Sequence, residues 1–134
     1  MQTLTLPASL ESLSSLRRFV EEVSAGIGRD DQAIYDFKLA VDEIATNAIT
    51  YGGAGERPPG TFTLRAETTP SALTVTLEDC GVPFDPRTAP PHAPPGGWGV
   101  GLALQGVDRF EYERDGDWNR NIFVLSRPNP ATGP

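Results

Sequence analysis

Apolar residues recur at two periods along the chain, and the switches between them mark out its elements. Residues 3–6 (TLTL) alternate polar and apolar and stop at Pro7, which predicts a short edge strand. Leu10, Leu13, Leu16, Val20 and Val23, with Phe19 beside them, then recur at helical steps. This predicts an amphipathic helix that Ser9 can cap and Gly26 or Gly28 can stop. A second helical stretch puts Ile34, Phe37, Val41, Ile44, Ala45 and Ala48 on one apolar stripe, with Asp30 or Asp31 as its cap and Gly52 or Gly53 as its stop. Glu43 and Asn47 stand off that stripe beside Ala40 and Asp36. Their spacing is just over one turn, so a carboxylate and an amide share a second face of the helix.

The glycine- and proline-rich residues 52–60 read as a loop, after which the period changes to two. Residues 61–68 (TFTLRAET) and 73–78 (LTVTLE), joined by the short turn 69–72, predict an antiparallel hairpin. The second strand runs directly into Asp79, Cys80, Gly81, Val82, Pro83, Phe84, Asp85 and Pro86. Residues 88–97 (TAPPHAPPGG) hold too many prolines and glycines for either regular structure and predict a connector or lid. Val100, Leu104 and Val107 return to helical spacing, and residues 110–114 and 121–126 flank the turn Asp115, Gly116, Asp117 as a closing hairpin. The order predicts an α+β two-layer sandwich: a mixed, mainly antiparallel sheet with helices on one face. One domain over 1–127 and a disordered tail over 128–134 are expected.

Composition narrows the classes. At 134 residues the chain suits a single core, and a formal net charge of −7 argues against non-specific binding to nucleic acid or an anionic membrane. No run of 18 apolar residues occurs, and the first ten residues lack the charged and apolar regions of a signal peptide, so a cytoplasmic protein is expected. Cys80 has no cysteine to pair with, and His92 is the sole histidine, which leaves no disulfide framework and no zinc cluster.

Three stretches carry chemistry. Asp79 ends a strand, where a carboxylate can accept a hydrogen bond from an exocyclic amine such as adenine's, and Gly81 beyond it permits close approach to the backbone. Gly96, Gly97, Gly99 and Gly101 crowd a predicted helix start, where free N–H groups and the helix dipole can hold phosphates. No GKS or GKT follows and no strand precedes, so this is neither a Walker A loop nor a dinucleotide fingerprint. Asn47 can offer an amide oxygen to magnesium, and Glu43 one turn away can take a proton from an attacking hydroxyl.

Together, Glu43xxxAsn47, Asp79xGly81xProPheAspPro and Gly97xGly99xGly101Leu102 resemble, in order and spacing, the N, G1 and G2 boxes of the histidine-kinase-like ATPase superfamily with the Bergerat fold. The compact length and the GVPFDPR wording are most similar to the anti-sigma factor serine/threonine kinases of bacterial stress and sporulation switches. The resemblance covers nearly the whole chain. It implies ATP and Mg2+ as cofactors, Asn47 as metal ligand, Glu43 as general base, Asp79 at the adenine amino group with Gly81 making room, and 88–97 as the ATP lid. Gly97, Gly99, Gly101 and Leu102 would face the phosphates. Asn121 stands where kinase members often carry a Gly-Thr pair touching the base. The implied partners are an anti-anti-sigma antagonist of the STAS type and a sigma factor, with the chain acting as a homodimer.

Two other readings stand beside that kinase. One is an ATP-holding partner-capture module of the same family with little phosphotransfer, favoured by the Asn121 departure and the arginine-free lid. The other is a detached ATP-binding domain of a sensor histidine kinase, disfavoured because no helical segment carries a phosphoacceptor histidine. Among single residues, Cys80 reads as a filler in the G1-like motif, His92 as a lid residue without the geometry of a phosphorylation site, and Trp98 as a lid packer or nucleotide cover. Pro83, Phe84 and Pro86 are expected to set the turn with Phe84 buried, and the Arg17–Arg18 pair to stay solvated.

Overall fold

The period-two segments pair into one sheet in the computed structural model, which describes residues 1–88 and 104–128. Its strands are β1 (Gln2–Pro7), β2 (Thr61–Thr68), β3 (Ala72–Asp79), β4 (Arg109–Asp115) and β5 (Trp118–Ser126), in the spatial order β1-β2-β3-β5-β4. Every pairing among the described residues is antiparallel. The strand predicted over 3–6 does lie at the edge, with Leu4 opposite Leu64.

Two helices cover one face: α1 (Leu13–Ser24) and α2 (Asp31–Thr50). Their apolar stripes explain the layering. Leu16, Val20, Phe37, Val41 and Ile44 pack in one cluster with Phe62, Leu64, Leu73, Val75, Leu77, Phe123 and Leu125, all essentially inaccessible to water. Removing each such side chain from water is worth about 1.5–3 kcal/mol, which makes this the dominant cohesive contribution. Asp30 caps α2, its Oδ1 accepting from Ala33 N at 2.8 Å.

Several expectations need correction. Ser9 makes no side-chain cap; its extended backbone leads into a 3₁₀ turn, Leu10–Ser12, and α1 starts only at Leu13. Arg17 is not left to solvent: it donates to Asp42 Oδ1 at 3.0 Å, tying α1 to α2. Of the helical spacing at 99–107, the described part forms a 3₁₀ turn, Leu104–Gly106. Gly106 sits so close to α2 that a Cβ there would lie 2.4 Å from Asp36 O. The closing hairpin is longer than predicted, since β5 begins at Trp118 and not at 121. Gly97, Gly99, Gly101, Leu102, His92, Trp98, the lid beyond Thr88 and the tail beyond Pro128 lie outside the described residues. Among the described residues no helix is long and apolar enough to cross a membrane.

Candidate functional site

The site begins with the register of two strands. β3 and β5 set Asp79 opposite Asn119 and Leu77 opposite Asn121, so Asp79 and both asparagines project from the helix-covered face. Further along β5 the same face carries Phe123 and Leu125. Three polar side chains therefore lie at one end of an otherwise apolar layer, each almost wholly buried: Asp79 at 2% exposure, Asn119 and Asn121 at 3%.

These three form the floor of a narrow pocket whose cavity volume is about 10 Å³, on the scale of one water. Ile44 and Ala48 of α2 supply one wall, and Val82, Phe84 and Pro86 of the loop after β3 supply the other. Phe84, expected to be buried, is half-buried and lines the pocket.

The loop is held where it is by the end of α2. Val82 N donates to Gly52 O at 2.9 Å, and a Cβ on Gly81 would stand 2.6 Å from that same oxygen. The close approach that Gly81 permits is thus by the protein's own backbone, which docks the Asp79 loop onto the helix terminus beside Asn47. Arg114 adds a clamp from β4, donating through Nη1 to Gly81 O at 2.8 Å.

Asn119 is the hub of this corner. Its Nδ2 donates to Asp79 Oδ1 at 3.1 Å and to Val82 O at 2.9 Å, with a longer approach of 3.4 Å to Gly81 O. Its Oδ1 accepts from the Tyr112 hydroxyl and, at 3.4 Å, from Phe84 N. Donors on one side and acceptors on the other leave one consistent amide orientation. Asn121 is different: its Oδ1 is buried with no hydrogen-bond partner among the described residues. An orphaned acceptor in a pocket costs on the order of 1–3 kcal/mol unless something fills it, which points to a ligand with a donor at that place.

Burial pushes the Asp79 carboxyl above the usual aspartate range, opposed by the hydrogen bonds from Asn119 and Gly81 and by the Arg114 charge. Burial, followed by Asp42, likewise raises Glu43. Cys80 is buried and its thiol pushed up, chiefly by burial, which fits an unreactive filler.

Glu43 and Asn47 are half-buried on α2 and next in sequence to the wall residues Ile44 and Ala48, without lining the pocket themselves. Neither side chain has a hydrogen-bond or ion-pair partner among the described residues. The structure thus unites Asp79 and Asn121 in one pocket and leaves Glu43 and Asn47 outside its lining, on the helix that supplies one wall. A buried free acceptor on the floor fits an amino donor, and the amide oxygen of Asn47 on that helix fits a magnesium ligand. Among the described residues no group of three or more His, Cys, Asp or Glu is placed to hold a metal, so Asn47 would act with phosphate oxygens. Sequence reading missed Asn119, which fell between the predicted turn at 115–117 and the strand predicted from 121. The available signal was the polar pair at 119 and 121, at strand period, entering the apolar positions 123 and 125.

Fold and site together define an ATPase-type nucleotide domain, and the chain belongs to the histidine kinase-like ATPase family: residues 6–125 match the histidine kinase-like ATPase domain. Over 86 residues, 64% of this chain, it is 34% identical to the serine-protein kinase RsbW of Listeria innocua serovar 6a, and equally to that of Listeria monocytogenes serovar 1/2a. The matched segment is 54% of each, so the chain spans about half the length of these curated relatives. The crystal structure of the RsbU and RsbW domains of Rv1364c from Mycobacterium tuberculosis shares the fold, with a TM-score of 0.65 and 18% identity over 96% of this chain and 34% of that one. So does the histidine kinase domain of the Erythrobacter litoralis EL346 blue-light activated histidine kinase, at 0.57 and 20% over 91% of this chain and 62% of that one.

Proposed function

We propose that the chain is an ATP-dependent serine/threonine protein kinase of the anti-sigma type, which phosphorylates an anti-anti-sigma antagonist of the STAS class and otherwise holds a sigma factor. The observation that carries this reading is a pocket floored by the buried Asp79 and Asn121, with a glutamate and an asparagine one helical turn apart on the helix that supplies its wall. The likeness to relatives named serine-protein kinase supports it.

In this reading Asp79 accepts one hydrogen of the adenine amino group, and Asn121 Oδ1 can accept only the other, because the free ring nitrogens of adenine are themselves acceptors. Asn47 holds magnesium, which when bound neutralises phosphate charge. Glu43 takes the proton from the acceptor hydroxyl. Partial burial, followed by the Asp42 charge, raises its carboxyl above the usual glutamate range, which makes it a stronger base toward a serine hydroxyl. Gly97, Gly99, Gly101 and Leu102 belong to the phosphate side by their motif. Homodimer formation belongs to the same reading and is checked by sedimentation.

The deciding experiment is magnesium-dependent ATP binding by calorimetry, followed by transfer of labelled phosphate to the antagonist. Glu43→Gln keeps ATP binding and lowers transfer by about 100-fold or more, the scale of general-base loss. Equal transfer by both proteins removes Glu43 from the chemistry. Binding without any transfer by the parent chain makes it a partner-capture module, and no ATP binding overturns the nucleotide site.

A further inference from the structure

Recognition of the base depends on how many oxygens Asp79 has to offer. A carboxylate with both oxygens free can grip guanine through the adjacent N1–H and N2–H donors, a bidentate match adenine cannot make. Adenine needs one oxygen for its 6-amino group. In this chain Oδ1 of Asp79 is already engaged twice, by Gly81 N at 2.8 Å and by Asn119 Nδ2 at 3.1 Å. Oδ2 has no partner among the described residues, and Asp79 lines the pocket.

Asn119 is locked into that task. Its two amide hydrogens face the acceptors Asp79 Oδ1, Val82 O and Gly81 O, and its oxygen is pinned by the Tyr112 hydroxyl and Phe84 N. A flip would set its oxygen against three acceptors at once. We propose that Asn119 is a specificity-determining positioning residue of the base site: by engaging Asp79 Oδ1 it leaves one carboxylate oxygen for the base, which accepts a 6-aminopurine and leaves a donor of a 2-amino-6-oxopurine unpaired. The proposal rests on the adenine-nucleotide reading of the pocket and extends it to the residue that sets base choice. One unpaired donor in a buried site corresponds to about a 10- to 100-fold discrimination.

Calorimetry of the full chain with Mg-ATP and with Mg-GTP tests this, the readout being the ratio of the two affinities. Asn119→Ala lowers the ATP-to-GTP ratio about 10-fold or more, by weakening ATP and relieving GTP. If the alanine protein fails to fold in a thermal melt, Asn119→Ser, which keeps a small polar group but cannot span to Asp79, carries the same expectation. Glu113→Gln, on the opposite face of β4 against Arg120, leaves the ratio within about twofold. An unchanged ratio in the Asn119 variants overturns the proposal, and so does an equal fall in Glu113→Gln, which would mean general loosening. A parent chain that binds no ATP overturns the pocket reading and this proposal with it.

Discussion

Glu78 and Asp79 are neighbours on β3, both nearly buried, and the sheet sends them to opposite faces. Glu78 lies on the uncovered face, where Arg65 Nε donates to one oxygen at 2.5 Å and Arg120 Nε to the other at 2.7 Å. Burial raises its carboxyl, but the hydrogen bonds and charges of the two arginines outweigh this and hold it below the usual glutamate value. Asp79 faces the helices, has no direct ion pair and no partner on Oδ2 among the described residues, and is raised by the same burial. Two adjacent carboxylates thus carry opposite shifts. The difference teaches that a buried acid satisfied on both oxygens is a structural tie, whereas one satisfied on a single oxygen and facing a pocket is poised for a ligand.

The largest effect that would break this contrast is expected at Asp79. Asp79→Asn should weaken ATP binding by about 100-fold in calorimetry, because the charged acceptor for the amino group is lost. The same change should leave the thermal midpoint at pH 7 equal to or above the parent's, since it removes a charge whose burial is unfavourable. A large loss of stability instead would make Asp79 a structural acid like Glu78.

The converse holds on the other face. Glu78→Gln should destabilise the fold by about 1–2 kcal/mol in denaturant titration, a buried-pair loss discounted because Arg65 is half exposed. ATP affinity should stay within about twofold. A matching loss of nucleotide binding would show that the two faces are coupled through β3.

A pH series sharpens the contrast through opposite signs. The folded pKa of Glu78 lies below its unfolded value near 4.5, so its contribution is present above that pH and lost as pH falls through the lower folded value. Asp79 has a folded pKa above its unfolded value near 3.8, so its ionisation costs stability as pH rises through the folded value. The stability advantage of Asp79→Asn should therefore fade below about pH 4, while the deficit of Glu78→Gln should shrink in acid. Parallel curves for the two variants would sink the assignment of opposite shifts.

The smallest effect belongs to the rim of the Glu78 network. Glu113 is half-exposed and reaches Arg120 at 3.3 Å, so Glu113→Gln should change stability by less than about 0.5 kcal/mol.

Much of this was legible in the chain. The stripe of Phe37, Val41, Ile44 and Ala45 named the buried face of α2, and the alternation at 61–68 and 73–78 named both central strands, because these periods report which side meets the core. The start of β5 was not legible: Trp118, Asn119 and Arg120 look like the continuation of a polar turn, and only their pairing with β3 and β4 makes them strand. Arg17 read as a solvated helix residue because its partner Asp42 lies on another helix. Gly81 read as space for a ligand because Gly52, which fills that space, is distant in sequence.

By itself the sequence determined the layers, the family-like order of its motifs, and the helix edge that carries Glu43 and Asn47, because local period and spacing encode all three. Only the tertiary structure decided that Asn119 and Gly81 engage Asp79 Oδ1 while its Oδ2 has no partner among the described residues, and that Asn121 Oδ1 is left without one there. Those outcomes depend on strand register and on which distant backbone groups meet at the end of α2, and no local pattern carries that information.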